Sequence, residues 1–346
     1  YIYFFLEHET KAKQTYLWIH DILCQEYFNG KQLPRYGEFI LKNVVSRIDK
    51  IILLTEWHKN NFIKYYGFGD DVIKKMEIIG NGINIEKFGT NQERVENRFI
   101  FTSAINMGLN KLLEYFVEIQ KEIKDATLHI FRDDVKKNEE FMKIINENEN
   151  IYCRGYVDNE RIIKEFEKSD VFFYPTTRPE TYCISALEAQ MAGCVCISSD
   201  LASLKNTIGE RGILINEPIN SEEYKTRAIK EVINLLKDKD KKEKMRKKAM
   251  DWAVKQSWKN RSIKWMELFN SHNRPIVKPI VKPIVKPNME QVRNMKPIVK
   301  KIIKKKINRH KLCLNMIVKN EEHVVKEVLE CVSKYIDYYV ICDTGQ

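Results

Sequence analysis

The feature that most constrains this chain is the regular alternation of short apolar runs with amphipathic helical segments between residues 98 and 236. Such alternation is typical of βα units, whose strands form a parallel sheet covered by helices. The predicted strands are Arg98–Ser103, Ala126–Phe131, Ile151–Cys153, Val171–Tyr174, Cys194–Ser198 and Gly212–Ile215. The predicted helices lie near 110–122, 138–147, 158–168, 184–192 and 221–236. Six strands with intervening helices indicate one complete doubly wound α/β domain.

The first 80 residues repeat this alternation with fewer units. Strands are predicted at Tyr16–Ile19, Ile51–Leu54 and Met76–Ile79, and helices at 37–47 and 56–66. We therefore expect an incomplete Rossmann-like domain over 1–88. The glycines of Gly80-Asn81-Gly82 permit a sharp turn, so a hinge is predicted at 80–88.

The second domain is predicted to extend over 89–273, because two further helices follow at about 239–254 and 257–270. The last helix carries Trp258, Trp265, Met266 and Phe269, a large apolar surface for a single helix. The incomplete first domain is the nearest element that could cover this surface. We therefore expect the last helix to pack on that domain.

The net charge of +11 is concentrated in a segment rich in proline and lysine. Residues 274–311 contain thirteen Lys or Arg and one acid, which leaves 46 basic against 47 acidic residues elsewhere. Pro-Ile-Val-Lys repeats within 274–310 predict an extended, solvated linker. The balanced remainder argues against a nucleic-acid partner, whereas contact of the linker with an anionic membrane surface stays open.

Scattered cysteines and the lack of a long apolar run indicate a cytoplasmic protein with reduced thiols. The chain begins without Met and stops just after an apolar run, so we expect a fragment of a longer protein.

The most informative motif is the stretch from Tyr174 to Gln190, which follows a strand and opens a helix. Ligands of parallel sheets bind at the carboxyl ends of strands, and a helix N-terminus suits a diphosphate. Glu180 precedes the helix, and Glu188 lies about one turn inside it with a carboxylate that can accept bonds from a ribose diol. A nucleotide ligand is therefore expected at this edge.

The spacing of Glu180 and Glu188, followed by Ala192-Gly193, resembles retaining GT-B glycosyltransferases of family 4. Asn81-Gly82-Ile83-Asn84 through Phe88 is similar to the hinge of that family, and Thr102-Ser103 ahead of Gly108 also fits. The resemblance covers roughly residues 10–270 and implies two Rossmann-like domains with a nucleotide-sugar between them.

The resemblance also implies roles for individual residues. Glu180 would bind the transferred sugar and His20 would face it, so both are candidate catalytic residues; a polar residue satisfied at a strand end is the alternative for His20. The candidate donor-binding residues are Glu188, the backbone amides of Thr181, Tyr182, Cys183 and Ile184, and Ser103, Gly108, Arg178 and Lys111.

One position departs from the family pattern. The family has a basic residue before the glycine matched to Gly108, and this chain has Met107. Arg178 and Lys111, and less directly Arg154, could supply the missing charge. No metal ligand or cofactor is expected, because no Asp-x-Asp pair accompanies the site.

The last segment, 311–346, resembles the start of an inverting GT-A glycosyltransferase of family 2 through Met316-Ile317-Val318-Lys319-Asn320-Glu321-Glu322 and Asp343-Thr344-Gly345. In that family Asp343 would touch the nucleotide, but Gln346 replaces the usual serine. The segment is therefore predicted to be the truncated first part of a third domain.

Together these features predict transfer of a hexose from a UDP-, GDP- or ADP-sugar to a glycan or lipid-linked acceptor, with retention and without metal. The alternative is a GT-B fragment that has lost donor handling and serves as a binding or scaffold module.

Overall fold

The computed structural model describes residues 14–20, 45, 47–90, 92–271, 312–318 and 338–343. These residues form an α/β protein with two parallel sheets. The predicted helix at 37–47 and the predicted linker at 274–310 fall almost entirely outside the described residues. Among the described residues, no helix combines the length and the apolar character needed to cross a bilayer.

The second sheet has six strands in the order β6-β5-β4-β7-β8-β9. Its strands are β4 Arg98–Phe101, β5 Thr127–Ile130, β6 Ile151–Cys153, β7 Val171–Tyr174, β8 Val195–Ser199 and β9 Ile213–Ile215. The helices are numbered along the chain, and α1 and α2 belong to the first domain. The helices of the second domain are α3 Leu109–Glu122, α4 Glu139–Asn146, α5 Asn159–Lys168, α6 Ile184–Met191, α7 Leu204–Thr207 and α8 Glu222–Lys237. The six strands predicted from the apolar runs are confirmed.

The first sheet contains β1 Gln14–Ile19, β2 Lys50–Leu53 and β3 Met76–Ile78, with helices α1 Glu56–Tyr66 and α2 Asp70–Ile73 after β2. These strands lie within two residues of the predicted ones. Buried apolar side chains of β1 and β2 form a core with Phe62 and Tyr66 of α1.

Two strands from the end of the chain extend this first sheet, which differs from the assignment of 311–346 to a separate domain. β10 Leu312–Val318 and β11 Tyr338–Asp343 give the order β11-β10-β1-β2-β3. Gln14 aligns with Leu312, and the pairing is parallel. In a three-stranded sheet β1 would be an edge strand, and β10 pairs with the backbone N–H and C=O groups of β1 that face away from β2. Asp343 is the last residue of β11.

Two helices lead back from the second domain to the first: α9 Lys239–Ala253 and α10 Trp258–Ser271. Trp265 of α10 packs edge-on against Trp18 of β1 with ring centroids 5.1 Å apart, and Phe269 meets Tyr16 at 5.2 Å. The expectation that the first domain covers the last helix is confirmed.

The chain crosses between the domains at two adjacent places. Ile83 bridges to Ser257, with Ile83 N donating to Gln256 O at 3.1 Å and Trp258 N donating to Ile83 O at 3.1 Å. A β-carbon on Gly82 would lie 2.7 Å from the backbone nitrogen of Trp258, so only glycine allows this approach.

A buried charge cluster fixes α9 to the second sheet. Asp170, just before β7, accepts hydrogen bonds from Lys242 Nζ at 2.8 Å and Arg246 Nη2 at 2.7 Å. Burial alone would raise the pKa of the Asp170 carboxyl, but these two cations outweigh it and lower that pKa. The carboxylate is therefore charged in the folded protein.

Candidate functional site

The loop between β7 and α6 carries Glu180 and is held by serines. Ser198 Oγ donates to Tyr174 O at 2.6 Å, and Ser199 Oγ donates to Thr176 O at 2.7 Å. Ser203 donates to the backbone oxygen of Glu180 through both its amide, at 3.2 Å, and its hydroxyl. These bonds fix the backbone of the loop at the carboxyl end of β7, where ligands of parallel sheets bind.

The carboxylate of Glu180 is itself held by a neighbouring side chain. Tyr174, at the end of β7, donates its hydroxyl to Glu180 Oε1 at 2.6 Å. Burial raises the pKa of Glu180, and the hydrogen bond from Tyr174 opposes that rise. A carboxylate prepared in this way can accept hydrogen bonds from the hydroxyls of a sugar.

Helix α6 begins directly after this loop. Its N-cap is Cys183, whose φ of 67° lies in the left-handed region that favours glycine. The first amides of a helix have no partner within the helix, and its dipole favours an anion there. Glu188 lies one turn further along α6 and, with Ile184, lines a cavity shared with the hinge residues Gly82 to Asn84. The predicted diphosphate-binding amides of Thr181 to Ile184 therefore sit where the sequence placed them, beside Glu180, and their ligand role stays a prediction.

Thr181 connects this loop to the first domain. Its hydroxyl donates to His20 O at 2.7 Å, and its carbonyl accepts from Thr55 Oγ1 at 3.2 Å. Thr55 is also the N-cap of α1, where its hydroxyl accepts from His58 N at 3.1 Å. His20 and the residues beside Glu180 are thus in direct contact across the domain boundary.

His20 lies against Trp18, with ring centroids 4.3 Å apart. Burial, with a smaller contribution from His58, lowers the pKa of His20 to about 3, so the ring is neutral near pH 7. Its Nε2 is buried without a hydrogen-bond partner among the described residues. A neutral imidazole in this place can offer one hydrogen bond to a sugar hydroxyl.

The side chain of Tyr182 packs into the interface between the domains. Its ring packs on the hinge, where a β-carbon on Gly80 would lie 2.5 Å from ring atom Cε2. Its hydroxyl accepts from Arg261 Nη2 at 3.1 Å. The side chain of Tyr182 therefore joins hinge, loop and α10.

Gly108 brings the start of α3 against the loop that leads to Glu180. It has a φ of 95°, and a β-carbon there would lie 2.5 Å from Pro175 O. Ser103 lies two residues after the end of β4. Gly108 thus contacts the loop that carries Glu180, and the donor-binding roles of Ser103 and Gly108 stay predictions.

The cations proposed to replace a basic residue at position 107 have different surroundings. Met107 packs partly into the core of the second domain. Arg154 is held by His129 Nδ1 at 3.2 Å and lies over the ring of Tyr152. Lys111 is half-buried in the first turn of α3, with its ammonium 5.9 Å from the Tyr115 ring centroid. Arg178 is half-buried in the Glu180 loop, where its amide donates to Thr176 Oγ1 at 3.1 Å. Lys111 and Arg178 are therefore the better placed of the three.

The sequence did not single out the side chains that support Glu180. Tyr174 reads as one more apolar residue of a buried strand, and Ser203 lies 23 residues beyond Glu180. Thr55 lies in the other domain. The one sequence signal that could have identified Tyr174 is its position at the carboxyl end of a strand, because ligands of parallel sheets bind at that edge.

With this geometry in place, comparison with known proteins becomes informative. Residues 84–252 match the family model of glycosyl transferases, group 1. That region contains the whole six-stranded sheet, Glu180 and Glu188.

Two curated proteins are similar to parts of the chain. An uncharacterized glycosyltransferase of Methanocaldococcus jannaschii is 23% identical over 227 residues, which cover 62% of this chain and 57% of that protein. An uncharacterized 41.2 kDa protein in the cps region of Klebsiella pneumoniae is 34% identical over 107 residues, 30% of this chain and 28% of that protein. The chain thus spans little more than half of the first relative and less than a third of the second.

Solved structures share the fold. The pneumococcal O-GlcNAc transferase GtfA, in complex with UDP and GlcNAc, superimposes with a TM-score of 0.61 at 18% identity, over 75% of this chain and 52% of that one. HepE of Anabaena, in complex with UDP and glucose, gives a TM-score of 0.59 at 15% identity, over 75% and 72% of the two chains. These similarities support a GT-B glycosyltransferase fold.

Proposed function

We propose that this chain transfers a hexose from a nucleoside diphosphate sugar to a glycan or lipid-linked acceptor. The observation that carries the proposal is the Glu180 carboxylate, which is fixed by Tyr174 and lies beside the N-terminus of α6. A diphosphate at that helix end would put the attached sugar next to Glu180 and His20. The match of residues 84–252 to glycosyl transferases group 1 supports the same reaction class.

The proposed chemistry follows from where charge develops. When the sugar leaves, negative charge builds on the diphosphate, and the unpaired amides and dipole of α6 would stabilise it without a metal ion. Lys111 or Arg178 would add a cation in place of the residue missing at Met107. Glu180 would hold the sugar hydroxyls, Glu188 the ribose, and the anomeric configuration would be retained.

UDP is the first nucleotide to test, because the GtfA and HepE structures contain it; GDP- and ADP-sugars complete the panel. Binding to the full chain is measured by calorimetry, and transfer by release of the nucleotide. We expect saturable binding of one nucleotide class, and Glu188→Ala should weaken it.

Glu180→Gln keeps the size of the side chain and removes its charge. We expect transfer to fall at least about 100-fold, in the range seen when a preorganised polar group is removed from an active site. Thermal stability should stay equal or rise, because burial raises the pKa of Glu180 and so disfavours the charged form in the folded protein. Glu210→Gln is the matched control, because the Glu210 side chain is 94% exposed. Unchanged turnover in Glu180→Gln would remove Glu180 from the mechanism.

A binding or scaffold module without catalysis is the second candidate, and Met107 is the observation that favours it. Methionine supplies no charge for the diphosphate, and the side chain packs into the core. A scaffold module of this kind should bind no member of the donor panel when folded. Met107→Lys would then be expected to create donor binding.

A further inference from the structure

The environment of Glu180 contains a polar group that the proposed reaction does not use directly. Tyr174 is fully buried, yet it ends with a polar hydroxyl on a strand whose other residues are apolar. This burial is costly without a compensating interaction, because a buried hydroxyl needs a hydrogen-bond partner.

The cost of burying the Tyr174 hydroxyl is offset at Glu180. The Tyr174 hydroxyl donates to Glu180 Oε1 at 2.6 Å. This hydrogen bond joins the end of β7 to the carboxylate in the loop before α6.

We propose that Tyr174 is a positioning residue that holds the Glu180 carboxylate in a single orientation for the sugar. The role in sugar transfer rests on the proposed function, whereas the holding of the carboxylate does not. The carboxylate has two oxygens, and a donor fixed on Oε1 restricts rotation about the terminal bond. The remaining acceptor positions can then face a ligand without reorganisation on binding.

The protonation state of Tyr174 agrees with this arrangement. Burial, reinforced by the nearby Glu180 charge, keeps the pKa of Tyr174 well above its ordinary value, so the phenol keeps the proton that it donates. Tyr174 therefore donates to the carboxylate and stabilises its charged form.

The test is a titration of Glu180 by 13C NMR in the full chain, with glutamate labelled at the carboxyl carbon. The signal is assigned by its loss in Glu180→Gln. Tyr174→Phe preserves the ring and removes only the donor, so the charged carboxylate loses stabilisation. We expect the midpoint to rise by about 1–2 pH units, as for loss of a hydrogen bond to a charged group.

Tyr224→Phe is the matched control. Tyr224 is also fully buried, and its hydroxyl is bonded to Ser199 Oγ at 2.7 Å rather than to Glu180. Its loss should leave the Glu180 midpoint unchanged. An unchanged midpoint in Tyr174→Phe would overturn the inference.

A kinetic measurement connects the titration to transfer. In Tyr174→Phe we expect kcat to fall about tenfold while the affinity for the nucleoside diphosphate alone stays the same. The acidic limb of the pH–rate profile should move upward together with the NMR midpoint. Wild-type protein that binds no donor and transfers no sugar would refute the proposed function. A shifted NMR midpoint in Tyr174→Phe would still support the holding role of Tyr174.

Discussion

The buried carboxylate of Asp170 gives the sharpest stability prediction. Its side chain is 1% exposed, and its partners Lys242 and Arg246 are 4% and 10% exposed. Asp170→Asn keeps the shape and removes the negative charge, which leaves two cations buried beside a neutral amide. Removal of one partner from a buried ion pair costs about 3–5 kcal/mol, because the remaining charge is desolvated without compensation. We expect a loss of that size in the free energy of unfolding.

Urea unfolding, followed by tryptophan fluorescence and circular dichroism, measures this loss. With a slope of about 2 kcal/mol per molar urea, the midpoint should fall by about 1.5–2.5 M. Glu243→Gln is the control, since Glu243 pairs with the same Arg246 at 3.0 Å but is 65% exposed. Exposed pairs contribute about 0–1 kcal/mol, so this variant should be nearly neutral.

A double-mutant cycle tests the cause of the loss. Lys242→Met in the Asp170→Asn background removes one uncompensated cation, so part of the stability should return. A loss below about 1 kcal/mol in Asp170→Asn alone would refute the reasoning. It would mean that water or a rearranged α9 relieves the two cations.

Three further predictions follow from other contacts. Gly108→Ala should destabilise the protein by more than about 1 kcal/mol and weaken donor binding, because its β-carbon would lie 2.5 Å from Pro175 O; thermal unfolding and calorimetry measure both effects. Burial, then Arg98 and Arg154, lowers the pKa of His129 to about 3, so stability should fall as pH drops from about 6.5 toward 3. The free energy of unfolding should fall by at most about 1.4 kcal/mol per pH unit, and by less where solvent reaches the ring. In His129→Gln, the free energy of unfolding measured with urea should depend less on pH. Trp265→Ala should cost about 3–5 kcal/mol and separate the unfolding of the two domains, which calorimetric scans would resolve; one unchanged transition would contradict this.

Local patterns were enough to predict the strands and helices of the second domain, because each strand is an apolar run between turn residues and each helix is amphipathic. The position of Glu180 could be predicted for the same reason, since it follows a predicted strand and precedes a predicted helix. The pairing of β10 with β1 could not be predicted from the sequence, because the backbone hydrogen bonds at the edge of a sheet do not depend on a side-chain pattern.

The charges of α9 show another limit of prediction from sequence. Lys242 and Arg246 lie in a strongly basic helix that reads as a solvated surface. Their orientation is decided by Asp170, 72 residues before Lys242 in sequence. The support of Glu180 by Tyr174 is similar, because a tyrosine at a strand end looks like a core residue until its hydroxyl has a partner. Local sequence patterns therefore could not predict these interactions between distant segments.

The double crossing at Ile83 and Ser257 has a mechanical consequence. A single covalent connection would let the two domains swivel about several axes. Two crossings hydrogen-bonded side by side, with Gly82 in contact with the Trp258 backbone, leave mainly one axis of rotation that passes through them. The hinge-side cavity with Glu188 lies next to that axis, so its shape should change little while the domains open and close.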